Sequence, residues 1–454
     1  MTRKRLAIPL VALAVVIAGV LVVAVTRGPS NSPATGLTLP TSTPRPAPTQ
    51  SVGSATPAPG LAVDAAGRAR RVADILASMH SHAFNPEAPA TKNSSLNGGL
   101  FINWLGTWDG NLATADTNTN LQTSGQTDDT TGASPRHDPV TDLLYLRNLA
   151  GFVAAHPADH SFDADIDQIR PIVASEFAKY TYYRCWIYSE LRDLDRFQPQ
   201  RGWDAMAKDY ITAVYMHFYD AGAGTIIDPS HNSYRTDYSA ECAAALLDAG
   251  KRYGDASWTD AGRSTVNHLL AQARDSTTHL FPLQMNASGG GDTVKQSQIK
   301  VGSEAQLLDA LLTAYDLTGD RQVLQAVHDA VTELYSPKLG LWDPQHGGFN
   351  FAVDASGANL ESTYKETRQA WMLAVLEHLD RLEPGAWTAK LTDMVGIVEN
   401  RLWQSGLSGY VYRLSPDFAV YHTNSGPNHT PVTEDFVTTE AMGIAGQVLE
   451  GAAG

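Results

Sequence analysis

The sequence predicts an all-α fold made of antiparallel helical hairpins, and three observations support it. From residue 61 onward, apolar residues recur at helical spacing in twelve segments. Segments with one apolar stripe alternate along the chain with segments that are apolar on every side. The connections between segments alternate between short and long. These patterns predict six hairpins, each with an outer helix followed by an inner helix.

The first 27 residues predict a membrane anchor. Residues 6–26 carry no charge, are about as long as a bilayer-spanning helix, and follow Arg3, Lys4 and Arg5. The apolar run exceeds the ~7 to 15 residues of a cleavable signal, and no clear A-x-A site ends it. We therefore expect residues 1–27 to be an uncleaved signal anchor that leaves the folded domain outside the cytoplasm. A cleaved secretion signal is the alternative, and it places that domain in the same compartment.

Residues 28–60 are predicted to be a linker. They are rich in Pro, Thr, Ser and Ala and have almost no large apolar side chains, so they cannot bury a core. The helical domain is then expected to span residues 61–454. Its helices are predicted at residues 62–80, 139–156, 163–179, 182–197, 200–220, 236–253, 256–275, 301–317, 320–335, 362–382, 386–404 and 433–450.

The even-numbered segments are predicted to form the inner layer. The runs 242–247, 307–312 and 370–376 are apolar nearly all round, as buried helices are, whereas segment 386–404 has a single stripe that includes Trp387, Leu391 and Met394. Odd-to-even connections are mostly long, at residues 81–138, 221–235, 276–300, 336–361 and 405–432. In antiparallel hairpins these loops emerge together beside the N-termini of the inner helices, so we expect function on that face.

This pattern resembles the (α/α)6 toroid of many carbohydrate-active enzymes, in which six outer–inner helical hairpins carry small β hairpins in their loops. Two pieces strengthen the resemblance: WDPQHGGF at residues 342–349, followed by YKETRQA at residues 364–370. A Gly-Gly-aromatic hairpin before a K-x-x-x-Q-A inner helix resembles N-acylglucosamine 2-epimerases and family 76 glycoside hydrolases. The resemblance covers residues 61–452, and an α-helical solenoid is the alternative.

Composition excludes several classes of partner. The chain has 33 Lys and Arg against 48 Asp and Glu and a net charge of −15, which would repel nucleic acid. It contains no phosphate-binding glycine loop, no H-E-x-x-H and no G-x-S-x-G. Asp116, Asp128 and Asp129 could bind calcium, but their spacing does not match an EF-hand loop. We expect a monomer with no metal and no cofactor.

Candidate catalytic carboxylates lie near the predicted N-termini of inner helices. Glycoside hydrolysis needs two carboxyl groups, one that donates a proton and one that is ionised. Capping and the helix dipole explain single acids at these positions, but they do not explain Arg235, Lys365 and Arg368. The adjacent aspartates Asp128 and Asp129 resemble the catalytic pair of family 76 enzymes, although Thr-Thr-Gly follows them here. The candidates are Asp128, Asp129, Asp237, Glu304 and Glu366.

Aromatic and cationic residues on the same face are candidates for substrate binding. Tryptophan can stack on a pyranose, although it can also plug the mouth of the ring. This set comprises Trp104, Trp108, Tyr234, Arg235, Arg368 and Trp342. A lyase could instead use Tyr234, Arg235 and His231, and an epimerase would need histidines such as His137, His231, His422 and His429.

Cys185 and Cys242 are the two cysteines of the chain. They lie near the starts of neighbouring inner helices in a compartment where a disulfide can form. Because inner helices pack ~8 to 10 Å apart, the sequence favours two separate buried thiols over a bridge.

The expected function is therefore a membrane-anchored, extracytoplasmic glycoside hydrolase that acts on a polysaccharide or oligosaccharide by two-carboxylate chemistry. A sugar lyase or epimerase on the same toroid, and a toroid that binds glycans without catalysis, are the alternatives.

Overall fold

The computed structural model describes part of the chain, and all of that part lies in the compact unit Pro57–Gly454. The predicted anchor and linker, residues 1–60, lie outside the described residues. Among the residues that are described, no helix is both long enough and apolar enough to cross a membrane. The described residues are 65–82, 84–85, 96, 99–100, 103–105, 139–178, 183–288, 291–404, 409–410, 413–419 and 436–438.

Eleven α-helices occur in the described residues, and they match the first eleven predicted segments. Their bounds are α1 Ala65–His82, α2 Pro139–Ala155, α3 Asp163–Phe177, α4 Trp186–Phe197, α5 Trp203–Phe218, α6 Thr236–Tyr253, α7 Ala256–His268, α8 Val301–Thr318, α9 Arg321–Leu334, α10 Trp371–Leu382 and α11 Thr388–Ile397.

The helices form two layers, as the alternation of apolar patterns predicts. Each even-numbered helix packs on the next, in the order α2, α4, α6, α8 and α10, and α7, α9 and α11 pack against α6, α8 and α10. In α6 and α8 most residues are buried, 14 of 18 and 12 of 18 respectively. In α9 the buried residues form one stripe that includes Val323, Val327 and Val331, because its other side faces water.

Short Gly-Asp links join inner helices to the outer helices that follow them. Gly254 and Gly319 end α6 and α8 with φ angles of +71° and +70°, which L side chains rarely adopt. The next residue caps the new helix: Asp255 accepts hydrogen bonds from the N–H groups of Ser257 and Trp258, and Asp320 accepts one from the N–H of Gln322. These local signals make the connections short.

Small antiparallel sheets cover the N-terminal end of the inner layer, which is opposite the Gly-Asp links. Three of their strands, β6, β9 and β11, run directly into inner segments. The three groups that contain these strands are β6 Ser233–Arg235 with β7 Gln284–Asn286 and β8 Thr293–Gln296, β9 Gln298–Lys300 with β10 Ala352–Asp354, and β11 Lys365–Glu366 with β14 Arg413–Leu414. The other pairs are β1 Phe84–Asn85 with β2 Gly99–Leu100, β3 Asn103–Leu105 with β15 Phe436–Thr438, β4 Tyr219–Asp220 with β5 Thr225–Ile226, and β12 Trp403–Gln404 with β13 Gly409–Tyr410.

Two predicted helices are corrected by these strands. The segment predicted to be helical from residue 362 begins with β11, because residues 365–366 pair with residues 413–414; a 3-10 turn, Thr367–Ala370, then leads into α10. Within the predicted helix 433–450, Phe436–Thr438 is a strand paired with β3, and the rest of that segment lies outside the described residues. In both cases a distant partner strand decides the backbone conformation.

Candidate active site

A cavity of about 540 Å³ lies within the inner helical layer. The first residues of α4 and α10, Trp186 and Trp371, are part of its wall. The wall then continues along α6 and α8 toward their C-terminal ends, where Asp248 and Asp316 contribute. The cavity is suited to a hydroxyl-rich ligand that has ring faces. The two tryptophan rings can stack on such a ligand, and the acidic side chains can accept hydrogen bonds from its hydroxyl groups.

Glu241 is one of two acids in the cavity wall whose pKa is raised by burial, the other being Asp309. Glu241 lies in the second turn of α6, its side chain is buried, and its Oε2 makes no hydrogen bond. Burial raises the pKa of Glu241 to about 8; the nearby Asp237 carboxylate raises it further, and Arg184 and Arg235 act in the opposite direction. The carboxyl group is therefore mostly protonated at neutral pH.

Asp237 lies one helical turn before Glu241 and is held as a carboxylate. Arg235 donates hydrogen bonds to both of its carboxylate oxygens, from Nε at 3.0 Å and from Nη2, and the backbone N–H of Tyr238 donates another at 3.0 Å. Arg235 also reaches α8, where its Nη2 is 3.3 Å from Ser303 Oγ. Residues four apart on a helix have Cβ atoms about 5–6 Å apart, so α6 presents a protonated and an ionised carboxyl group side by side.

Two arginines and an aromatic ring surround this acid pair. The guanidinium carbons of Arg184 and Arg235 lie 4.5 and 4.2 Å from the ring centroid of Tyr238. Arg184 also lies 5.2 Å from the ring of Trp186, which belongs to the cavity wall. The cations and the acid pair thus belong to one cluster at the N-terminal end of the inner helices.

Glu304 is buried at the start of α8, but it is not among the residues that line the cavity. Its Oε2 accepts a hydrogen bond from the N–H of Phe281, at 3.3 Å, and its Oε1 makes none. Burial raises the pKa of Glu304 well above its usual value, and Asp237 contributes to the increase. Glu304 is therefore a second buried acid with a raised pKa close to Asp237.

Glu366 and Arg368 meet α8 at Gly302. A Cβ atom at Gly302 would be 2.6 Å from Arg368 Cβ and 3.5 Å from Glu366 Oε2, so glycine is needed for this close approach. The preceding Lys365 is fully buried, and its Nζ donates to Asp343 Oδ2 at 3.0 Å. Hydrogen bonds from Lys365 and His346 outweigh the effect of burial and lower the pKa of Asp343 to about 2. This ion pair anchors β11 and with it Glu366.

Two of the predicted substrate-binding residues have structural contacts. Tyr234 is fully buried, and its hydroxyl donates to Asp292 Oδ2 at 2.7 Å. Trp342 packs against the rings of Tyr335 and Phe349, at centroid distances of 4.8 and 5.1 Å. Asp128, Asp129 and Trp108 lie outside the described residues, and Trp104 lies in β3, where only its backbone is described.

Cys185 and Cys242 form a disulfide, so the expectation of two separate thiols is wrong. Their Cα atoms are 4.7 Å apart. Cys185 is not within a helix but is the residue that precedes α4, where the chain comes closer to α6 than two packed helix axes do. The bridge joins the residue after Arg184 to the residue after Glu241, and it thereby links the two helix starts that carry the acid and the cation.

The catalytic candidates chosen from the sequence omit Glu241. One signal was available, since Glu241 is a charged residue that directly precedes the apolar run 242–247 of an inner helix. Within the part of the chain that the structure describes, no group of three or more His, Cys, Asp or Glu side chains could hold a metal ion. The described cluster is therefore built from carboxyl, guanidinium and aromatic groups.

Comparisons with known proteins agree with this architecture. No protein-family profile matches the chain, and no curated protein sequence matches it significantly. Among solved structures, a D-mannose isomerase aligns with 11% identity and a TM-score of 0.61 over 85% of this chain and 97% of that one. An unsaturated glucuronyl hydrolase specific for heparin aligns with 12% identity and a TM-score of 0.55 over 84% and 95%. An α-1,6-mannanase of Salegentibacter sp. HEL1_6, from glycoside hydrolase family 76, aligns with 9% identity and a TM-score of 0.53 over 85% and 99%.

At these identities the comparisons establish the fold, and the predicted resemblance to six-hairpin toroid enzymes is confirmed.

Proposed function

We propose that the protein is a glycoside hydrolase that acts on a polysaccharide or oligosaccharide by two-carboxylate chemistry. The observation that carries the proposal is the acid pair on α6, in which a buried, protonated Glu241 lies one turn from an Asp237 held as a carboxylate by Arg235. The names of the solved relatives, which include a mannanase and a glucuronyl hydrolase, support a glycan as substrate.

In this mechanism Glu241 donates its proton to the glycosidic oxygen as the bond to the leaving sugar breaks. Asp237, which is buried beside Glu241 and does not itself line the cavity, stabilises through its negative charge the positive charge that develops on the sugar ring as water attacks. Trp186 and Trp371 offer ring faces on which a pyranose can stack. A raised pKa serves the proton donor because the group must still carry its proton at neutral pH.

The lyase and epimerase alternatives have less support. No histidine occurs among the described residues that line the cavity. Of the proposed lyase residues, His231 pairs with Asp228 at 2.6 Å and Tyr234 donates to Asp292, so each already has a partner on its own loop or sheet. Hydrolysis by carboxyl groups therefore remains our proposal.

Asp128 and Asp129 remain alternative catalytic acids. An inactive variant of the Salegentibacter mannanase has two consecutive aspartates replaced by alanine, and the adjacent pair Asp128–Asp129 is similar in kind. The experiment on α6 therefore includes this pair as a separate arm.

We also propose that the hydrolase is anchored to the membrane by residues 6–26, with its toroid outside the cytoplasm. The charge-free apolar run supports the anchor. The disulfide between Cys185 and Cys242 supports an oxidising, extracytoplasmic compartment.

The test of catalysis is to replace each acid by its amide. We expect Glu241→Gln and Asp237→Asn each to lower kcat by about a thousandfold or more, because each removes a group that acts in the transition state. Hydrolysis would be measured on neutral and acidic oligosaccharides that the parent protein cleaves. Asp260→Asn, on the exposed side of the outer helix α7, is the matched control and should retain full activity.

The result that would contradict this assignment is wild-type hydrolysis by both α6 variants. A loss of activity confined to Asp128→Asn or Asp129→Asn would then assign catalysis to that pair.

A further inference from the structure

Carboxyl groups dominate the wall of the cavity of about 540 Å³. Among the described residues that line it, the only basic side chain is Arg192. Arg192 pairs with Asp195 and Asp204, and neither of these lines the cavity, so acids outside the cavity already offset its charge. The acids of the wall are Glu190, Asp193, Glu241, Asp248, Asp309 and Asp316.

Three of these acids pair with basic side chains of neighbouring inner helices. Arg147 Nε lies 3.4 Å from Glu190 Oε2, and Arg147 Nη2 lies 2.8 Å from Asp193 Oδ2, so these pairs join α2 to α4. His378 Nε2 lies 3.0 Å from Asp316 Oδ2, and this pair joins α10 to α8. The packing of the inner layer therefore accounts for these three acids.

Asp248 and Asp309 make no ion pair within the part of the chain that the structure describes. The Tyr188 hydroxyl donates to Asp248 Oδ2 at 2.6 Å, but this donor is neutral and leaves the charge of the carboxylate in place. Burial raises the pKa of Asp309, and His378 counteracts it only in part. Two carboxyl groups thus line the cavity without a cation beside them.

The inner segment that lies mostly outside the described residues adds acids to the sequence and no cation. Residues 433–450 include four Asp or Glu and no Lys, Arg or His. The links that leave α2, α4, α6, α8 and α10 at their C-terminal ends all belong to the described residues, and none of their side chains pairs with Asp248 or Asp309. A cationic ligand would supply the positive charge that this wall lacks.

Glu241 is the second observation that points to a ligand in this cavity. Its side chain is more than nine-tenths buried, it belongs to the cavity wall, and its Oε2 has no hydrogen-bond partner. A buried oxygen without a partner is unfavourable, so a ligand group that bonds to it is favoured. Asp248 lies seven residues further along the same face of α6, about 10 Å away. A cation bound at Asp248 therefore leaves the proton of Glu241 in place.

The cation that fits this cavity is an amine carried by a sugar. Within the described residues, no group of three or more His, Cys, Asp or Glu side chains could hold a metal ion. Trp186 and Trp371 line the same cavity, and an aromatic face attracts an ammonium group as well as the CH groups of a sugar ring. An amino sugar combines the ring, the hydroxyl groups and the positive charge.

We propose that the glycan bound in this cavity carries free amino groups and that Asp248 and Asp309 bind them as ammonium ions. This inference rests on the proposed function for its glycan site, and it adds the chemical class of the substrate. It does not require that hydrolysis be observed.

The test is calorimetric binding to the Glu241→Gln protein at about pH 7, where most amino groups still carry their proton. The probes are the glucosamine and galactosamine trisaccharides, each compared with the parent sugar in which hydroxyl groups replace the amines. We expect one amino trisaccharide to bind about tenfold more tightly than its parent in about 50 mM salt, with most of that advantage lost in about 300 mM salt. Spermidine, which has amino groups but no sugar ring, should bind more weakly than that trisaccharide.

Aspartate variants made in the same background locate the ammonium groups. Asp248→Asn and Asp309→Asn should each weaken binding of the preferred amino trisaccharide about tenfold and change binding of its hydroxyl parent less than about twofold. Asp260→Asn, on the exposed side of the outer helix α7, should change neither. Melting temperatures verify that each variant folds, and the salt dependence tests the proposal without any aspartate variant.

Equal affinity for both amino trisaccharides and their parents, absence of binding by all of these sugars, or equal effects of Asp248→Asn and Asp260→Asn would each overturn the proposal. Spermidine that binds as tightly as the preferred trisaccharide would overturn the assignment to a glycan. Failure of the two proposals can be told apart. A protein that hydrolyses only neutral glycans keeps the proposed function and loses this inference, whereas one that binds amino sugars and hydrolyses nothing does the opposite.

Discussion

The raised pKa of Glu241 results from the packing around α6. A glutamate in water is ionised at neutral pH, but burial raises the pKa of Glu241 to about 8. Its neighbour Asp237 has a different partner, Arg235, and is held as a carboxylate. Two acids four residues apart are thus suited to opposite roles because one is buried without a strong partner and the other is paired.

We expect the stability of the protein to decrease with rising pH because of Glu241. Its pKa is about 8 in the folded protein and 4.5 in its ordinary state, so the contribution of the protonated group is fully present below pH 4.5 and is lost as pH rises through about 8. Glu241→Gln cannot ionise, so its melting temperature should fall less between about pH 5 and about pH 9. Asp260→Asn, on the exposed side of α7, is the control and should behave as the parent protein does.

Equal pH dependence of melting in the parent and in Glu241→Gln would show that the acid is not held protonated. The same pKa predicts that hydrolysis declines as pH rises through about 8, since the proton donor is then lost.

At the scale of the elements, some helix boundaries are set by residues close together in the chain, and others are set by pairing with a distant strand. The link between α8 and α9 follows from Gly319 and Asp320, which act within a few residues of themselves. The start of the α10 segment does not follow from its own residues, because Lys365 and Glu366 pair with a strand about fifty residues later.

Two glycine-to-alanine changes should have opposite effects. Gly319 has a φ of +70°, so Gly319→Ala should destabilise the protein by about 1 kcal/mol even though the space around it is open. Gly396 lies inside the helix α11 with no atom near its added Cβ, so Gly396→Ala should stabilise by about 0.5–1 kcal/mol. Urea unfolding measures both, and a change of the same sign in the two variants would contradict the assigned backbone conformations.

The disulfide should stabilise the fold and position the site. Cys185 and Cys242 close a loop with a sequence separation of 57, for which chain entropy predicts a stabilisation of about 4 kcal/mol. Cys185→Ser with Cys242→Ser should therefore lower the free energy of unfolding by about that amount and should also lower kcat. Reductant should destabilise the parent and leave the double variant unchanged, whereas equal responses would mean that the bridge does not form.

At the scale of the whole molecule, the parallel inner helices bring their N-termini to one end. Residues from four successive inner helices therefore contribute to one cavity wall, although Trp186 and Trp371 are far apart in sequence. The small sheets cover the same end, and β6, β9 and β11 fix the residues that precede α6, α8 and the α10 segment.

We expect the helical domain to fold and act without residues 1–60. A variant that starts at residue 61, exported behind a cleavable signal, should be recovered outside the membrane fraction with hydrolysis comparable to that of the full chain. The full chain should sediment with membranes because residues 6–26 are uncharged and long enough to span a bilayer. Recovery of both proteins in the same fraction would contradict the predicted anchor.

The first eleven helix positions and their division into two layers can be predicted from sequence, because periodicity and capping depend on residues close together in the chain. The face on which we expect the site follows from loop lengths in the same way. The raised pKa of Glu241, the disulfide between Cys185 and Cys242, and the strand at residues 365–366 are decided only by tertiary structure. Each depends on which distant segments pack against it, and burial, covalent pairing and strand pairing are properties of contacts that local sequence does not specify.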